Sequence, residues 1–238
     1  MQPDYLPTPD SLPPSRAAER IASGRANWRE RLARLDKDQQ QPLRELTETP
    51  QGKHLLESLF GHSPFLAHCL LVEPLFLMEL AAKSVDSCFA EILATCRDPK
   101  LANKTKAEVE TALRQAKRRA ALVIALADIS GQWPLLQVTA ALSELADASL
   151  DAALAHLLLA AHERGDLVLT NPADPLKDCG YAVIGMGKYG ARELNYSSDI
   201  DIIPLYQSRK IDYRHTRGVQ EGMVRLTRDL VRMIDERT

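Results

Sequence analysis

The sequence predicts an α+β protein, in which a mostly helical N-terminal region is followed by a smaller region that contains strands. Between about residues 16 and 164, apolar and charged residues interleave at three- and four-residue spacing, the period of an amphipathic helix. After a turn-rich linker at 170–175, two short apolar runs, 181–184 and 200–206, have the character of strands. We therefore expect a proline-rich arm at 1–15, a helical region at 16–165 and a second domain at 166–238.

Several predicted helices begin or end at recognisable capping residues. Ser63 stands before a proline, as an N-cap before the first helical turn does. Thr105 and Glu108 have the spacing of a capping box. Pro134 separates two helices because the residue before a proline avoids helical backbone angles, and Gly165 fits the position just after a helix. The predicted helices cover about 16–35, 53–60, 64–71, 74–95, 105–129, 134–147 and 149–164.

Composition narrows the class of protein. The formal net charge of -2 gives no whole-chain attraction to nucleic acid or to an anionic membrane, so neither is an expected partner. The cysteines have no metal-binding spacing, which is typical of reduced thiols in a cytoplasmic protein. The N-terminus shows no signal-peptide pattern, and the apolar runs are too short to span a bilayer. Prolines at five of the first 15 positions exclude a regular helix there and predict an extended or loosely ordered arm.

The most informative segment is 181–206, where a short strand, a glycine turn, about two helical turns and a second strand follow one another. We expect the second strand to open with Asp199 and Asp201, whose alternation places both carboxylates on one face. Two close carboxylates repel each other unless a cation lies between them. The turn formed by Gly185 and Gly187 offers backbone N–H groups to phosphate oxygens. Together these residues predict a phosphate-and-metal site suited to phosphoryl or nucleotidyl transfer.

Two other interpretations of the segment stay open on the residues alone. Gly185, Gly187 and Gly190 match the GxGxxG turn of dinucleotide-binding domains, and Asp212 lies near the spacing of a ribose-binding acid. The interval between the two strands is, however, short for the crossover helix that parallel strands require. The second interpretation is purely structural, with glycines in a tight turn and aspartates on an exposed strand face.

The third interpretation is a metal-dependent nucleotidyltransferase. Magnesium prefers hard oxygen ligands and keeps waters and phosphate oxygens in its shell, so Asp199 and Asp201 suffice as a partial cage. The metal would neutralise phosphate charge and orient the attacking and leaving oxygens. Lys188 would supply a further positive charge to the phosphate.

The run GMGK from Gly185, continued by ELNYSSDID to Asp201, closely resembles the signature of bifunctional glutamine synthetase adenylyltransferase/adenylyl-removing enzymes. The helical segments 118–129 and 140–147 also resemble this family, so the resemblance covers roughly residues 50–238. It implies a polymerase-β-like nucleotidyltransferase fold, of which 166–238 would be an incomplete part.

The resemblance also implies an activity and its partners. In this family one domain removes AMP from a tyrosine of adenylylated glutamine synthetase by phosphorolysis, yielding ADP, and a second domain attaches AMP from ATP. Both use Mg²⁺, and the enzyme responds to glutamine and to the PII signal protein. On the motif match, Asp199 and Asp201 would be catalytic metal ligands, Gly185 and Gly187 would form the phosphate-binding turn, and Ser198 would help to hold phosphate.

The family pattern further implies a strand beyond residue 238 that carries a third carboxylate in an Arg-rich motif. We therefore expect this chain to be an N-terminal, adenylyl-removing piece with an incomplete active site and very low or no turnover. The alternative is a binding module without chemistry. In that case the helices and a basic face at Arg114, Lys117 and Arg118 would dock glutamine synthetase or a regulator.

Overall fold

The computed structural model describes residues 6–196, 198–216 and 218–235, and it confirms the predicted class of a mostly helical chain with a few short strands. These residues form two compact units. One contains the described residues through Ile92 together with Lys117–Val138. The other contains Leu93–Ala116 and the described residues from Thr139 onward, and it includes the strands.

The helices that precede the first strand follow one another through short breaks. Single turns of 3₁₀-helix lie at Pro9–Ser11 and Pro99–Asn103. The α-helices are α1 (Ala18–Ala33), α2 (Lys37–Glu48), α3 (Pro50–His62), α4 (Pro64–Val72), α5 (Phe76–Ala82), α6 (Val85–Cys96), α7 (Lys106–Ile129) and α8 (Leu135–Glu163).

The predicted capping residues are confirmed. The Ser63 hydroxyl accepts the backbone N–H of Leu66 at 3.2 Å. Thr105 and Glu108 satisfy each other reciprocally, because the Thr105 N–H donates to the Glu108 carboxylate at 2.8 Å and the Glu108 N–H donates to the Thr105 hydroxyl at 3.3 Å. Gly165 has φ +78° just after α8, the left-handed conformation of a helix C-terminus.

The number of helices differs from the prediction in three places. The prediction has no helix at α2, which forms although Pro42 lies inside it and has no N–H to donate. The predicted helix at 74–95 is two helices, since Lys83 is extended and the Ser84 hydroxyl accepts the N–H of Ser87 as a new N-cap at 3.2 Å. The two helices predicted at 134–147 and 149–164 are the single helix α8. In it, the Ser149 hydroxyl donates to the Leu145 carbonyl at 2.7 Å and leaves the backbone helical.

The described part of the proline-rich arm, residues 6–15, is anchored rather than loose. Leu6 and Leu12 are buried. A ring nitrogen of His54, on α3, lies 3.1 Å from the Leu12 carbonyl oxygen. Two buried leucines and a backbone contact therefore hold this segment, although its prolines exclude a long helix.

The prediction that Arg118 belongs to an exposed basic face of α7 is wrong. The Glu73 side chain is 9% exposed and accepts from Arg118 at 2.7 Å and from Arg119 at 3.4 Å. The Arg119 guanidinium also stacks 4.9 Å from the centre of the Phe76 ring. Charged groups withdrawn from water need such partners, so Arg118 stabilises the packing of this unit and is not presented to a binding partner.

The structure also bears on the expectations for the cysteines and for membrane-spanning helices. All four cysteines are free, and Cys69, Cys88 and Cys96 are buried while Cys179 is half-buried. Among the described residues no single helix has the length and apolar character to cross a membrane. The helices α4 and α5 reach that composition only as a pair, bent by 99° between them.

The strands form two small antiparallel pairs. Strand β1 (Leu167–Val168) pairs with β4 (Asp212–Tyr213), and β2 (Tyr181–Gly185) pairs with β3 (Ile202–Tyr206). The one-turn helix α9 (Gly187–Gly190) lies between β2 and β3, and α10 (Val219–Asp235) follows β4.

The amphipathic helix α10 supports the β2·β3 pair. Its apolar residues Met223, Leu226 and Leu230 are buried, whereas Val231 is 47% exposed. The hydroxyls of Tyr181 on β2 and Thr227 on α10 lie 2.8 Å apart in a hydrogen bond.

Asp166 joins the end of α8 to β4 and α10. Its carboxylate accepts from Arg164 at 3.1 Å and from Arg225 at 2.9 Å, and its backbone carbonyl accepts the Arg214 N–H at 2.9 Å. Desolvation opposes ionisation here, but Arg164 and Arg225 outweigh it and hold the pKa of Asp166 below its ordinary value.

We predict that Asp166→Asn lowers the free energy of unfolding at pH 7 by about 1 kcal/mol, because two partly exposed arginines lose their carboxylate. A lowered native pKa gives stability that is present above the unfolded pKa and is lost as pH falls through the native pKa. Wild type and variant should therefore converge toward about pH 3. Urea denaturation from neutral to acidic pH measures this.

Asp229→Asn is the matched control, because Asp229 lies 3.9 Å from the exposed Arg232 on α10. Its stability should stay close to that of wild type throughout. A difference between wild type and Asp166→Asn that is absent at pH 7, or that widens in acid, would contradict the prediction.

Candidate metal and phosphate site

The glycine turn after β2 brings two backbone segments into very close contact. Gly187 has φ +54°, a conformation that residues with a Cβ rarely adopt. A Cβ on Gly190 would lie only 2.4 Å from the carbonyl oxygen of Gly185. A side chain at position 190 would therefore force α9 away from the end of β2.

The helix α9 has one turn instead of the two that we expected. It ends in a Schellman motif, in which the N–H of Glu193 donates to the Lys188 carbonyl at 2.7 Å and the N–H of Arg192 donates to the Tyr189 carbonyl at 3.0 Å. Arg192 itself is left-handed, with φ +61°. This conformation stops the helix, and the chain turns back toward β3.

The two aspartates precede β3 and do not open it, because the strand begins at Ile202. The pairing of the strands nevertheless extends toward them: the N–H of Met186 donates to the Asp201 carbonyl at 2.8 Å, just beyond the Gly185–Ile202 pair. Asp199 and Asp201 are exposed and Ile200 is half-buried, as alternation predicts.

The structure brings the Asp201 carboxylate to the glycine turn. A Cβ built on Gly187 would lie 3.6 Å from Oδ2 of Asp201, so the carboxylate faces the backbone at that glycine. Asp199 lies two residues earlier on the same approach to β3. This arrangement places an anionic oxygen beside a turn whose own backbone is free of side-chain bulk.

The remaining predicted residues have different surroundings. Lys188 is exposed at the second position of α9. The Ser198 hydroxyl donates to the Asn195 side chain at 2.8 Å and accepts the Asn195 N–H at 3.3 Å, which closes a local turn ahead of Asp199. To hold phosphate, Ser198 would have to exchange one of these contacts.

The two carboxylates fit a magnesium ion that keeps water and phosphate ligands better than they fit a metal ion enclosed by protein side chains. Among the residues that the structure describes, no group of three or more His, Cys, Asp or Glu side chains is placed to hold an ion. Exposed carboxylates that leave most of the shell to water and phosphate oxygens are the usual arrangement for Mg²⁺ bound with a nucleotide. Asp199 and Asp201 are the residues that would hold such an ion.

Sequence reasoning missed the residues that anchor the turn. Tyr189 is 7% exposed, and its hydroxyl donates to Asp147 on α8 at 2.6 Å. Arg192 donates to the other carboxylate oxygen of Asp147 at 3.0 Å. Tyr189 was recognisable as the one aromatic side chain between Gly187 and Gly190. Its partner lies 42 residues upstream, and no local pattern links the two.

The dinucleotide-binding interpretation is wrong. The strands on either side of the GxGxxG turn are antiparallel, whereas a dinucleotide-binding unit joins two parallel strands through a crossover helix. Asp212, the candidate ribose-binding acid, lies on β4 in an ion pair with Arg214 at 2.9 Å. The glycines therefore serve a tight connection between antiparallel strands.

A family profile and individual known proteins both match this chain, and they point to the same family. A family profile described as glutamate-ammonia ligase adenylyltransferase matches residues 53–238. The chain is 41% identical over 193 residues to the bifunctional glutamine synthetase adenylyltransferase/adenylyl-removing enzyme of Xanthobacter autotrophicus, which covers 81% of this chain and 19% of that protein. It is 39% identical over 207 residues to the protein of the same name from Bradyrhizobium diazoefficiens, covering 87% of this chain and 21% of that protein. The chain thus spans about a fifth of the length of these relatives.

We predict that Gly190→Ala lowers the free energy of unfolding by about 1–3 kcal/mol, because the new methyl group overlaps the Gly185 carbonyl. It should also accelerate hydrogen exchange at the Met186 N–H, which pairs with Asp201. Chemical denaturation and amide exchange measured by NMR test both effects.

Gly131→Ala is the control, since Gly131 also has a helix-terminal position but a Cβ there meets nothing within 4 Å. Its left-handed conformation makes the alanine variant less stable by about 1–2 kcal/mol, without any change at Met186. Wild-type exchange at Met186 in Gly190→Ala would show that the close contact does not set the geometry of the site.

Proposed function

We propose, because the chain belongs to the glutamate-ammonia ligase adenylyltransferase family, that residues 166–238 contribute a Mg²⁺-dependent nucleotidyltransfer site that acts on adenylylated glutamine synthetase. The observation that carries this proposal is the Asp201 carboxylate facing the backbone of Gly187. It puts a candidate metal-ligand oxygen beside backbone that carries no side chain, as close approach of an adenylyl phosphate requires.

Each residue of the site has one role in this proposal. Asp199 and Asp201 hold Mg²⁺, which when bound neutralises phosphate charge. The backbone at Gly187 admits a phosphate group close to the carboxylates, since this residue has no side chain, whereas Gly185 makes room for the Tyr189 ring. Lys188 is exposed at the start of α9 and supplies a cation to the same phosphate.

The proposed reaction is phosphorolysis of the adenylylated tyrosine. An oxygen of inorganic phosphate attacks the phosphorus of the adenylyl group and forms the P–O–P bond of ADP. The bond from that phosphorus to the tyrosine oxygen breaks, and the phenolate takes up a proton. Positioning of the two anionic groups and compensation of their charge are the main requirements of such a transfer.

We assign removal of AMP, and not its addition, because a long helical region precedes the Asp-x-Asp segment, as in the adenylyl-removing half of the enzymes that the sequence resembles. The same two carboxylates serve either direction chemically. Glutamine synthetase, the PII signal protein, phosphate and adenine nucleotide are the partners proposed on this basis, and ATP would be the AMP donor for a separate transferring domain.

We also propose that the site described here is only part of the catalytic centre. One face of the β2·β3 pair is apolar and exposed. Ile184 and Ile203, which are paired across the two strands, are each 44% exposed, and Leu205 is 50% exposed. Two short strands are marginal as an isolated sheet. A further strand with a third carboxylate, from elsewhere in a longer protein, would extend this small sheet and complete the metal site.

Metal binding tests the proposal in the 238-residue chain. Calorimetric titration of the protein with the preformed Mn²⁺–ADP complex should give one site, and Asp199→Asn or Asp201→Asn should weaken it at least tenfold, because each removes one of two anionic ligands. Asp212→Asn is the matched control, since it removes an exposed carboxylate on β4 in the same unit. Equal affinity in all variants would refute the site.

Activity separates catalysis from a binding module. With adenylylated glutamine synthetase, phosphate and Mg²⁺, the chain should release ADP very slowly, and Asp201→Asn should abolish that release while leaving any binding to glutamine synthetase intact. Rapid ADP release would contradict the incomplete centre. Binding to glutamine synthetase that is unaffected by Asp201→Asn, with no ADP release from either protein, would favour the binding module.

A further inference from the structure

We propose that Asp147 on α8 is a positioning residue for the glycine turn: through Tyr189 and Arg192 it holds α9 where Gly187 faces the Asp201 carboxylate. This role rests on the proposed function, since the turn matters for chemistry only if phosphate and metal bind there. Asp147, α9 and Asp201 all belong to the same compact unit.

Asp147 accepts hydrogen bonds from α9 and from the residue that ends it. Oδ1 of Asp147 accepts the Tyr189 hydroxyl at 2.6 Å, from within the helix. Oδ2 accepts from Arg192 at 3.0 Å, just after the helix ends. A carboxylate with one donor on each oxygen fixes both the distance and the rotation of the segment that carries those donors.

The Tyr189 ring transmits this anchorage to β2. The ring packs so closely on Gly185 that a Cβ there would lie 2.8 Å from its Cδ1 atom. Burial, and then the hydrogen bond to Asp147, raise the pKa of Tyr189 above its ordinary value, so the phenol keeps its proton and remains a donor. The end of β2, the ring and Asp147 thus form one continuous set of contacts.

The helix α9 cannot hold its position by itself. It has only four residues, and a single helical turn has too few hydrogen bonds to be stable alone. It is terminated by Arg192 in a left-handed conformation, which is unfavourable for a residue with a Cβ. The ion pair between Arg192 and Asp147 is exposed, at 53% and 42% of the two side chains, so it contributes at most about 1 kcal/mol and the buried Tyr189 is the main anchor.

Any movement of α9 changes the geometry of the site directly. Gly187 is the first residue of α9, and Asp201 Oδ2 lies 3.6 Å from where its Cβ would be. Met186, immediately before the helix, pairs with the Asp201 backbone at 2.8 Å. Because metal and phosphate sites lose affinity when supporting contacts are removed, Asp147 should influence ligand binding without touching the ligand.

Asp147→Ala and Tyr189→Phe test the proposal in the 238-residue chain. Each should speed hydrogen exchange at the Met186 and Glu193 N–H groups about tenfold and weaken Mn²⁺ binding in the presence of ADP about tenfold. The double variant should bind no more weakly than Asp147→Ala alone, because that change already removes the acceptor of the Tyr189 hydroxyl.

Glu144→Gln is the matched control. Glu144 lies one turn earlier on α8 and pairs with Arg97 at 2.8 Å, so it loses a comparable ion pair that does not involve α9. It should leave both the exchange rates and the Mn²⁺ affinity at wild-type values. A merely structural role of Asp147 would lower global stability, yet leave the Mn²⁺ affinity of the folded variant unchanged.

Each outcome decides a different claim. Wild type that binds no Mn²⁺ with ADP overturns the proposed metal site, and the positioning role with it. Normal binding by wild type, together with unchanged affinity in Asp147→Ala and Tyr189→Phe, overturns the positioning role alone. Additive losses in the double variant would also overturn it, because Asp147 and Tyr189 would then act independently.

Discussion

The carbonyl oxygen of Gly185 occupies the place where a side chain on Gly190 would begin, and the geometry of the site follows from this contact. It lets α9 start immediately beyond β2 and lie against the end of that strand. One turn later Arg192 adopts its left-handed conformation, and the chain returns antiparallel to β2. The register that results puts Asp201 opposite the turn.

Local patterns in the sequence were sufficient for the types of the elements around the site. A glycine turn between two apolar runs predicted a strand, a turn and a strand. The length of α9 was not accessible in this way, because Arg192 is a good helix former whose left-handed conformation accompanies contacts with Asp147.

Long-range partners explain the other differences. Arg118 was placed on a basic surface because its neighbours in the sequence are basic, but Glu73, 45 residues upstream, draws it into the packing of its unit. Asp147 is 42% exposed, yet it accepts from two residues of the glycine turn that lie more than 40 residues downstream. Charges that pair across such sequence distances leave no periodic signal, whereas capping residues such as Ser63 and Thr105 act within one turn and were predicted.

Family membership and local geometry address different parts of the functional question. The match over residues 53–238 gives the class of chemistry, and the antiparallel strands remove the dinucleotide-binding interpretation of GxGxxG. The structure adds the spatial relation between one carboxylate and one glycine, next to a turn that α8 contacts through Asp147. The adenylyl-removing role and its partners are proposed from the resemblance.

A crystal structure of the chain with Mn²⁺ and ADP, in which an anomalous difference map locates the manganese, tests the relation between Asp201 and Gly187 most directly. The account predicts a manganese peak at about 2.1 Å from an Asp201 carboxylate oxygen, the distance typical of a small divalent ion, with phosphate oxygens of the nucleotide between it and Gly187. A bound nucleotide and metal elsewhere on the chain, with the Asp201 carboxylate directed away from Gly187, would contradict it.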